Sequence, residues 1–334
     1  MSSPTDNAPS TLARWRAPAI ALLLLLSLLA PLVVYPVFMM KIYCFGLFAS
    51  AFNLLFGFAG LMSFGHAAFL GSAAYVCGYA VKSLGFPPEL GILAGTGAAA
   101  LLGLVVGRLA IRREGIYFSM VTLALAQMVY FICLQAPFTG SEDGIQGIPR
   151  GRLLGFIDLD NTYAMYYFVL AIFVFSFYAM YRIVHSPFGQ VLKAIRENEP
   201  RAISLGYDVQ RYKLVTFVLS AGLAGLAGAT KTLVFQLATL TDVHWSTSGE
   251  AVLMTLVGGL GTIFGPFVGA VVIVSLEHHL AGLGSWVTFI MGLIFMACVL
   301  MFREGIVGTS KSLWRGRKTQ QPAAAAAAPV TADA

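Results

Sequence analysis

The residues that could do chemistry are few, and most lie inside or beside long apolar runs. Ser63 and His66 stand in a glycine-rich stretch, Gly57-Phe58-Ala59-Gly60-Leu61-Met62-Ser63-Phe64-Gly65-His66. A hydroxyl and a neutral imidazole there can hydrogen-bond a zwitterionic solute without burying an ion; the same histidine can equally be a packed, structural residue. Small residues let helices approach closely and let backbone line a cavity. Gly57, Gly60, Ser63, Phe64, Gly65 and His66 are therefore the candidates for lining a path through the protein. Lys231, Glu250 and Glu277, the last beside His278 and His279, also fall within or at the ends of apolar runs. Ionisable groups in such places meet water or a partner. Glu250 and Glu277 lie near expected helix ends where water can serve, and Lys231 is long enough to snorkel. The adjacent histidines point in different directions on a helix and make a poor metal pair. No metal site and no cofactor is expected. There is no Gly-x-x-x-x-Gly-Lys-Ser/Thr loop to cradle ATP phosphates, and no nucleophile–base–orienter set, so no catalytic residue is named.

Two polar segments offer contact surfaces instead. In Ser186–Gly206, Val191, Leu192 and Ile195 recur at helical spacing, with Lys193, Arg196 and Glu197 on other faces. Pro200 fits the first turn of a second short helix, and Gly206 fits its end. A helix pair held between two spans can transmit a rigid-body push; it can also be a loop on the lipid surface whose charges only set orientation. Around Thr139–Pro149, glycines alternate with Glu142 and Asp143, and Asp143-Gly144 favours a tight turn. Gly140, Asp143 and Gly144 are candidates for contact with a soluble partner; an ordered connector is the other reading.

The elements that must position these residues follow from composition. Of 334 residues, 58% are hydrophobic and 11% charged, against about 25% charged in an average soluble domain. The chain has too little charge to cover a water-soluble surface, and the expectation is an all-α integral membrane protein of about ten transmembrane helices. The expected spans are 17–38, 42–61, 64–81, 90–109, 116–136, 164–183, 214–238, a short 250–262, 264–280 and 286–302. The stretch 250–280 is too long for one helix and is broken by Gly258-Gly259-Leu260-Gly261 and Gly265-Pro266; two passes or a re-entrant segment both fit. Sixteen of the 21 lysines and arginines fall on the side of the N-terminus, four (Lys41, Lys82, Arg150, Arg152) on the other, and Lys231 inside a span. By the positive-inside rule both termini are cytoplasmic. The net charge of +6 thus sets orientation and does not imply nucleic acid. Expected divisions are a cytoplasmic segment 1–16, a membrane domain 17–302 with a periplasmic loop 137–163 and a cytoplasmic loop 185–213, and a largely disordered cytoplasmic tail 303–334. Cys44, Cys77, Cys133 and Cys298 all lie in apolar stretches and are read as buried packing residues.

Several of these segments, in order, carry a resemblance. Ser186-Pro187-Phe188-Gly189, Ala194-Ile195-Arg196-Glu197-Asn198-Glu199, Ala202 through Gly206, and Phe217 to Ala229 resemble the cytoplasmic signature of ABC-importer permeases of the branched-chain amino acid (LivM) type. So do Asn53-Leu54-Leu55 with Gly57–Phe69, Thr139–Pro149, and Gly258–Thr262 with Gly265-Pro266, so that the likeness runs from about residue 40 to about 308. The chain departs from the general Glu-Ala-Ala form of the loop at Pro200-Arg201. The resemblance implies an ABC-importer permease bundle in a bacterial inner membrane, with no enzymatic activity of its own. It implies two cytoplasmic ATPase subunits in the importer, with an ATPase subunit docked on this chain's Pro187, Phe188, Gly189, Arg196, Glu197, Asn198, Glu199, Ala202 and Gly206, a homologous partner permease in a heterodimer, and a periplasmic solute-binding protein. Leucine, isoleucine and valine are the implied small-molecule substrates, with urea, amides or other amino acids as alternatives. An ion-coupled secondary transporter is a further alternative, against which stands the lack of a midplane carboxylate.

Overall fold

The computed structural model describes residues 25–32, 34–153, 155–280, 282, 284, 286–301 and 305–308. The expected segment 1–16, and the tail from 309 onward, lie outside the described residues.

Helices dominate. After a helical stretch at 25–29 and a short 3-10 turn Ala30–Leu32, the first long helix, α1, runs Pro36–Asn53 and continues as a π turn through Leu54–Phe58. It is followed by α2 (His66–Lys82), α3 (Pro88–Ala110), α4 (Gly115–Gln135), α5 (Thr162–His185), α6 (Pro187–Glu197), α7 (Glu199–Ser204), α8 (Val209–Phe235), α9 (Trp245–Gly258), α10 (Gly265–Leu280) and α11 (Trp286–Met301). Local chemistry sets many of the boundaries. Proline occupies the first turn of α1, α3, α6 and α7, where its missing N–H costs nothing. Asn161, Ser186, Asn198 and Asp208 cap α5, α6, α7 and α8 by accepting hydrogen bonds from free backbone N–H groups.

Among the described residues, five helices are long and apolar enough to cross a membrane: Pro36–Phe58, Pro88–Ala110, Gly115–Gln135, Thr162–His185 and Val209–Phe235. Their outward surfaces suit lipid. Leu101, Val105 and Leu109 form an i, i+4, i+8 stripe on α3 with 66%, 57% and 57% exposure, a stripe a water-soluble surface would not carry. The chain is thus a multi-pass, essentially all-helical membrane protein. The other apolar helices are shorter: α2 has 17 residues, α9 14, α10 16 and α11 16. At about 1.5 Å per residue they fall short of a hydrocarbon core about 30 Å thick.

Several expected boundaries move. The break expected between residues 38 and 42 lies instead at Val34-Tyr35, because Pro36 opens α1 and the helix runs on through Lys41. Helix α8 begins at Val209 and not Leu214, since Asp208 caps it, and ends at Phe235, where Gln236 adopts a left-handed conformation. The cytoplasmic loop expected over 185–213 therefore contracts to the segment between His185 and Val209. The short span expected over 250–262 is the helix Trp245–Gly258, and Gly259 to Thr262 form the turn after it.

Helices α1 and α8 form the centre, with 78% and 61% of their apolar windows buried, whereas α4 is peripheral at 22%. The small-residue run of α8 explains its position. It packs on α2 and α3 through Ala221, Ala224, Gly225 and Gly228, and a side chain at Gly228 would collide with the Leu70 carbonyl. Connections sort to two ends. At one end β1 (Ile145–Gln146) pairs antiparallel with a later strand, Leu237–Ala238, while β2 (Arg152–Leu153) pairs with β3 (Ile157–Asp158). Lys82 donates to the Gln146 carbonyl there and Arg150 to that of Val234. At the opposite end lie α6, α7 and the turns after α1 and α9.

Two glycines of one motif should respond oppositely to a methyl group. Gly222 has its nearest neighbour, Ala100 Cβ, 3.8 Å from an added Cβ. Gly222→Ala is expected to be neutral or stabilising, whereas Gly228→Ala should lower stability by about 1–3 kcal/mol. Thermal unfolding of the detergent-solubilised chain measures both.

Candidate functional site

The candidate site is built where α1 loses its regular ladder. After Asn53 the helix widens into a π turn, Gly60 takes a φ of +74°, and the chain turns before α2. A π turn leaves backbone groups out of register and is often kept for function. Here a side chain from a distant part of the chain satisfies one of them. Arg196, at the end of α6, donates from Nη1 to the Gly57 carbonyl, and its aliphatic stem passes over Gly60. Lys193, one turn earlier, holds its ammonium 6.0 Å from the centre of the Phe58 ring.

The same π turn grips the break between α9 and α10. Asn53 Nδ2 donates to the Thr262 carbonyl at 2.8 Å, and its Oδ1 accepts from the Gly261 N–H at 3.0 Å. A backbone N–H can only donate and a carbonyl only accept, so this pair fixes which end of the amide is oxygen. Thr262 caps the next helix by accepting from the Gly265 N–H at 3.1 Å while donating to the Gly259 carbonyl at 2.7 Å. Gly57 must be glycine, because an added Cβ would strike the Asn53 side chain and come within 2.7 Å of the Gly261 nitrogen. Two glycine segments far apart in sequence thus meet at one point, with Arg196 over them.

The loop residues divide by role. Gly189 lets α6 fold back on the Ile183 and Val184 carbonyls, and Pro187 opens the helix. Phe188 stacks on Tyr212 with ring centres 5.3 Å apart. Ile195, Ala202 and Val209 form a small core between α6, α7 and α8. Glu199 pairs with the nearly buried Lys213 at 2.6 Å, Asn198 caps α7, and Gly206 takes a φ of +86° to end it. Glu197 is exposed and makes no hydrogen bond or ion pair among the described residues. Beside it, Ile203, Leu205 and Tyr207 are 58%, 68% and 41% exposed on a segment outside the long apolar helices.

The remaining candidates lie deeper or at the other end. His66 is fully buried, and its Nε2 lies 2.8 Å from Ser220 Oγ. Ser220 also donates to the Ala51 carbonyl at 2.5 Å, so Nε2 carries the proton in that bond. The rings of Phe48, Phe52, Phe69 and Phe217 surround the imidazole. Ser63 is buried and accepts from the Gly65 N–H, and Phe64 is half-buried against the main core. At the opposite end Gly140 and Gly144 adopt positive φ where any side chain would meet backbone carbonyls, and Asp143 stands exposed between them. Cys44, Cys77 and Cys133 are buried free thiols; the side chain of Cys298 lies outside the described residues. Lys231 does not snorkel but pairs with Asp242, and Glu277 pairs with Lys41 at 3.0 Å. Asn53, Gly261 and Thr262 were absent from the expected site. A lone amide inside an apolar run is the signal that could have found Asn53.

Asn53→Leu should remove both bonds to the 261–262 turn and cost about 1–3 kcal/mol for each backbone group left without a partner. Asn53→Asp should also destabilise, since it turns an oxygen toward the Thr262 carbonyl. Unfolding in detergent distinguishes these from a surface amide, whose replacement would leave the midpoint unchanged.

Residues 37–301 match the family described as branched-chain amino acid transport system / permease component. Among curated relatives, the high-affinity branched-chain amino acid transport system permease protein LivM of Escherichia coli is 26% identical over 282 residues, covering 76% of this chain and 65% of the relative. The chain therefore spans just under two thirds of that relative's length. A probable branched-chain amino acid transport permease protein LivM of Methanocaldococcus jannaschii is 27% identical over 175 residues, 49% of this chain and 48% of the relative. The ribose import permease protein RbsC of Bacillus subtilis is 29% identical over 174 residues, 49% of this chain and 51% of the relative. No solved structure matches the chain. The matched region takes in the π turn, the α6–α7 pair and the α9–α10 turn alike, and the chain belongs to the branched-chain amino acid transport permease family.

Proposed function

We propose that the chain is the membrane-spanning permease subunit of an ATP-driven importer that carries leucine, isoleucine and valine delivered by a soluble binding protein. The observation that carries this reading is the α6–α7 pair. It presents Ile203, Leu205 and Tyr207 to its surroundings while Arg196 ties it to Gly57 inside the bundle. Exposed apolar residues on a polar helix pair mark a protein partner, and the tether gives a force applied there a route inward. Family membership and the names of the relatives support the substrate.

In this reading one of the importer's two ATPase subunits docks on α6 and α7, with Glu197 and the exposed apolar residues as contacts, and the other docks on the partner permease. The membrane is a bacterial inner membrane, and the docking end and both termini face the cytoplasm. ATP binding draws the ATPases together and displaces the pair. Arg196 carries that displacement to Gly57, and Asn53 carries it on to the 261–262 turn, so α1, α9 and α10 move with α5 and α8. A solute released from the binding protein, which contacts the Gly140–Gly144 face, crosses between this subunit and a homologous partner permease. The Gly57–His66 segment opens toward that path when the turn moves, exposing the hydroxyl of Ser63 and the imidazole of His66. Energy comes from the ATPases, so no carboxylate at mid-membrane is needed to bind a coupling ion.

Two results are expected. Radiolabelled leucine uptake at sub-micromolar substrate is lost when the gene is removed, is restored by a complementing copy, and survives a proton uncoupler while ATP is maintained; abolition by the uncoupler would instead support an ion-coupled carrier. Leu205→Asp with Tyr207→Asp should weaken co-purification of the ATPase by about tenfold or more, equivalent to about 1.4 kcal/mol, without changing the amount of chain in the membrane.

A further inference from the structure

The end of the bundle opposite α6 holds a group of charges that the coupling reading does not use. Lys41 on α1 and Lys231 on α8 both lie against the ring of Phe45, at 5.8 and 5.1 Å from its centre. Each already has a carboxylate: Glu277 of α10 for Lys41, and Asp242, before α9, for Lys231. A third carboxylate, Glu250 in the second turn of α9, is half-buried and lies within electrostatic range of all four. It makes no hydrogen bond or ion pair among the described residues. Among the described residues both lysines are paired, and Glu250 is the carboxylate of this group without a cation of its own. Near Asp242, the Tyr75 side chain is 3% exposed, and its hydroxyl has no hydrogen-bond partner among the described residues although it lies within electrostatic range of that carboxylate. A buried hydroxyl and a carboxylate without a cation, in one group among the described residues, are costly unless a polar partner meets them.

We propose that Glu250 receives the ammonium group of an α-amino acid entering from the outer end, and that Lys231 and Tyr75 are positioned to meet its carboxylate. The inference rests on reading the chain as an importer permease, and it narrows the substrate to solutes with a charged amino group, against urea or amides. Glu250 lacks a cationic partner, and an ammonium group beside it supplies one locally. The paired lysines leave Glu250 as the one carboxylate of the group able to take it without breaking an ion pair. A neutral amide would leave Glu250 uncompensated.

Gly249 allows a direct test, because nothing lies within 4 Å of an added Cβ there. Gly249→Cys is introduced into the full chain, and spheroplasts are treated with a membrane-impermeant maleimide, with labelling counted against the parent chain. Millimolar leucine or leucinamide, which keep the ammonium group, should slow labelling several-fold. 4-Methylpentanoate, which keeps only the carboxylate, and urea should not. The protection should disappear in Gly249→Cys/Glu250→Gln and return in Gly249→Cys/Glu250→Asp. A thiol that never reacts, protection by 4-methylpentanoate equal to that by leucinamide, or protection that survives Glu250→Gln would each overturn the assignment. Labelling requires neither ATPase nor binding protein. Failed protection therefore leaves ATP-driven import standing, and failed uptake with intact protection removes import alone.

Discussion

The structure depends on how one broken helix satisfies its backbone. A membrane interior offers no water to freed peptide groups, so any departure from a regular helix must find partners within the protein. Helix α1 departs from it at Leu54–Phe58, the chain breaks again between α9 and α10, and each break finds its partner in a side chain. Arg196 reaches in from the α6–α7 pair to the Gly57 carbonyl, and Asn53 reaches across to both polar groups of the 261–262 turn. Because these bonds meet the breaks, the breaks can exist; because they exist, a helix pair outside the long apolar helices is joined to α1, α9 and α10 inside them.

The two ends of the bundle are held by different chemistry. Around the π turn the contacts are backbone groups with one amide and one guanidinium, on glycines that let three segments meet. At the other end, ion pairs clamp α1 to α10 and α8 to the segment before α9, with the β1–Leu237–Ala238 pairing beside them. Between the ends, α8 packs by small residues and shape. Small-residue packing tolerates a tilt of one helix on another better than interlocked large side chains do, whereas hydrogen bonds with fixed direction transmit force. The bundle is thus packed by shape in its middle and held by directed bonds and ion pairs at its ends.

Much of this was legible in the sequence. The apolar runs, the helix pair divided at Pro200, the left-handed end at Gly206 and the break at Gly258-Gly259 follow from periodicity and from the backbone preferences of proline and glycine. What escaped was long-range pairing. Lys41 reads as a loop charge until Glu277, far along the chain, is seen beside it, and that misreading moved the first helix boundary away from Pro36, the stronger local signal. Lys231 reads as a snorkelling side chain until Asp242 is placed. Asn53 reads as one polar residue in an apolar helix, since nothing local says that residues 261 and 262 lie opposite. The glycine stretches themselves were visible, but that Gly57 and Gly261 meet each other depends on the packing of α1 against α9 and α10.

The central claim is that Arg196 transmits movement of the helix pair into the broken helix, and a covalent substitute for that tether tests it. A Cβ built on Gly60 lies 3.8 Å from the Cβ of Arg196, a separation suited to a disulfide, and Cys44, Cys77 and Cys133 are buried. Gly60→Cys/Arg196→Cys is compared with itself, reduced and oxidised, for ATP-driven leucine uptake in proteoliposomes containing the complete importer. The account predicts that the reduced form, which lacks the tether, transports poorly and that oxidation restores uptake. Oxidation that leaves uptake at the reduced level, with the disulfide formed and the ATPase bound, would contradict it.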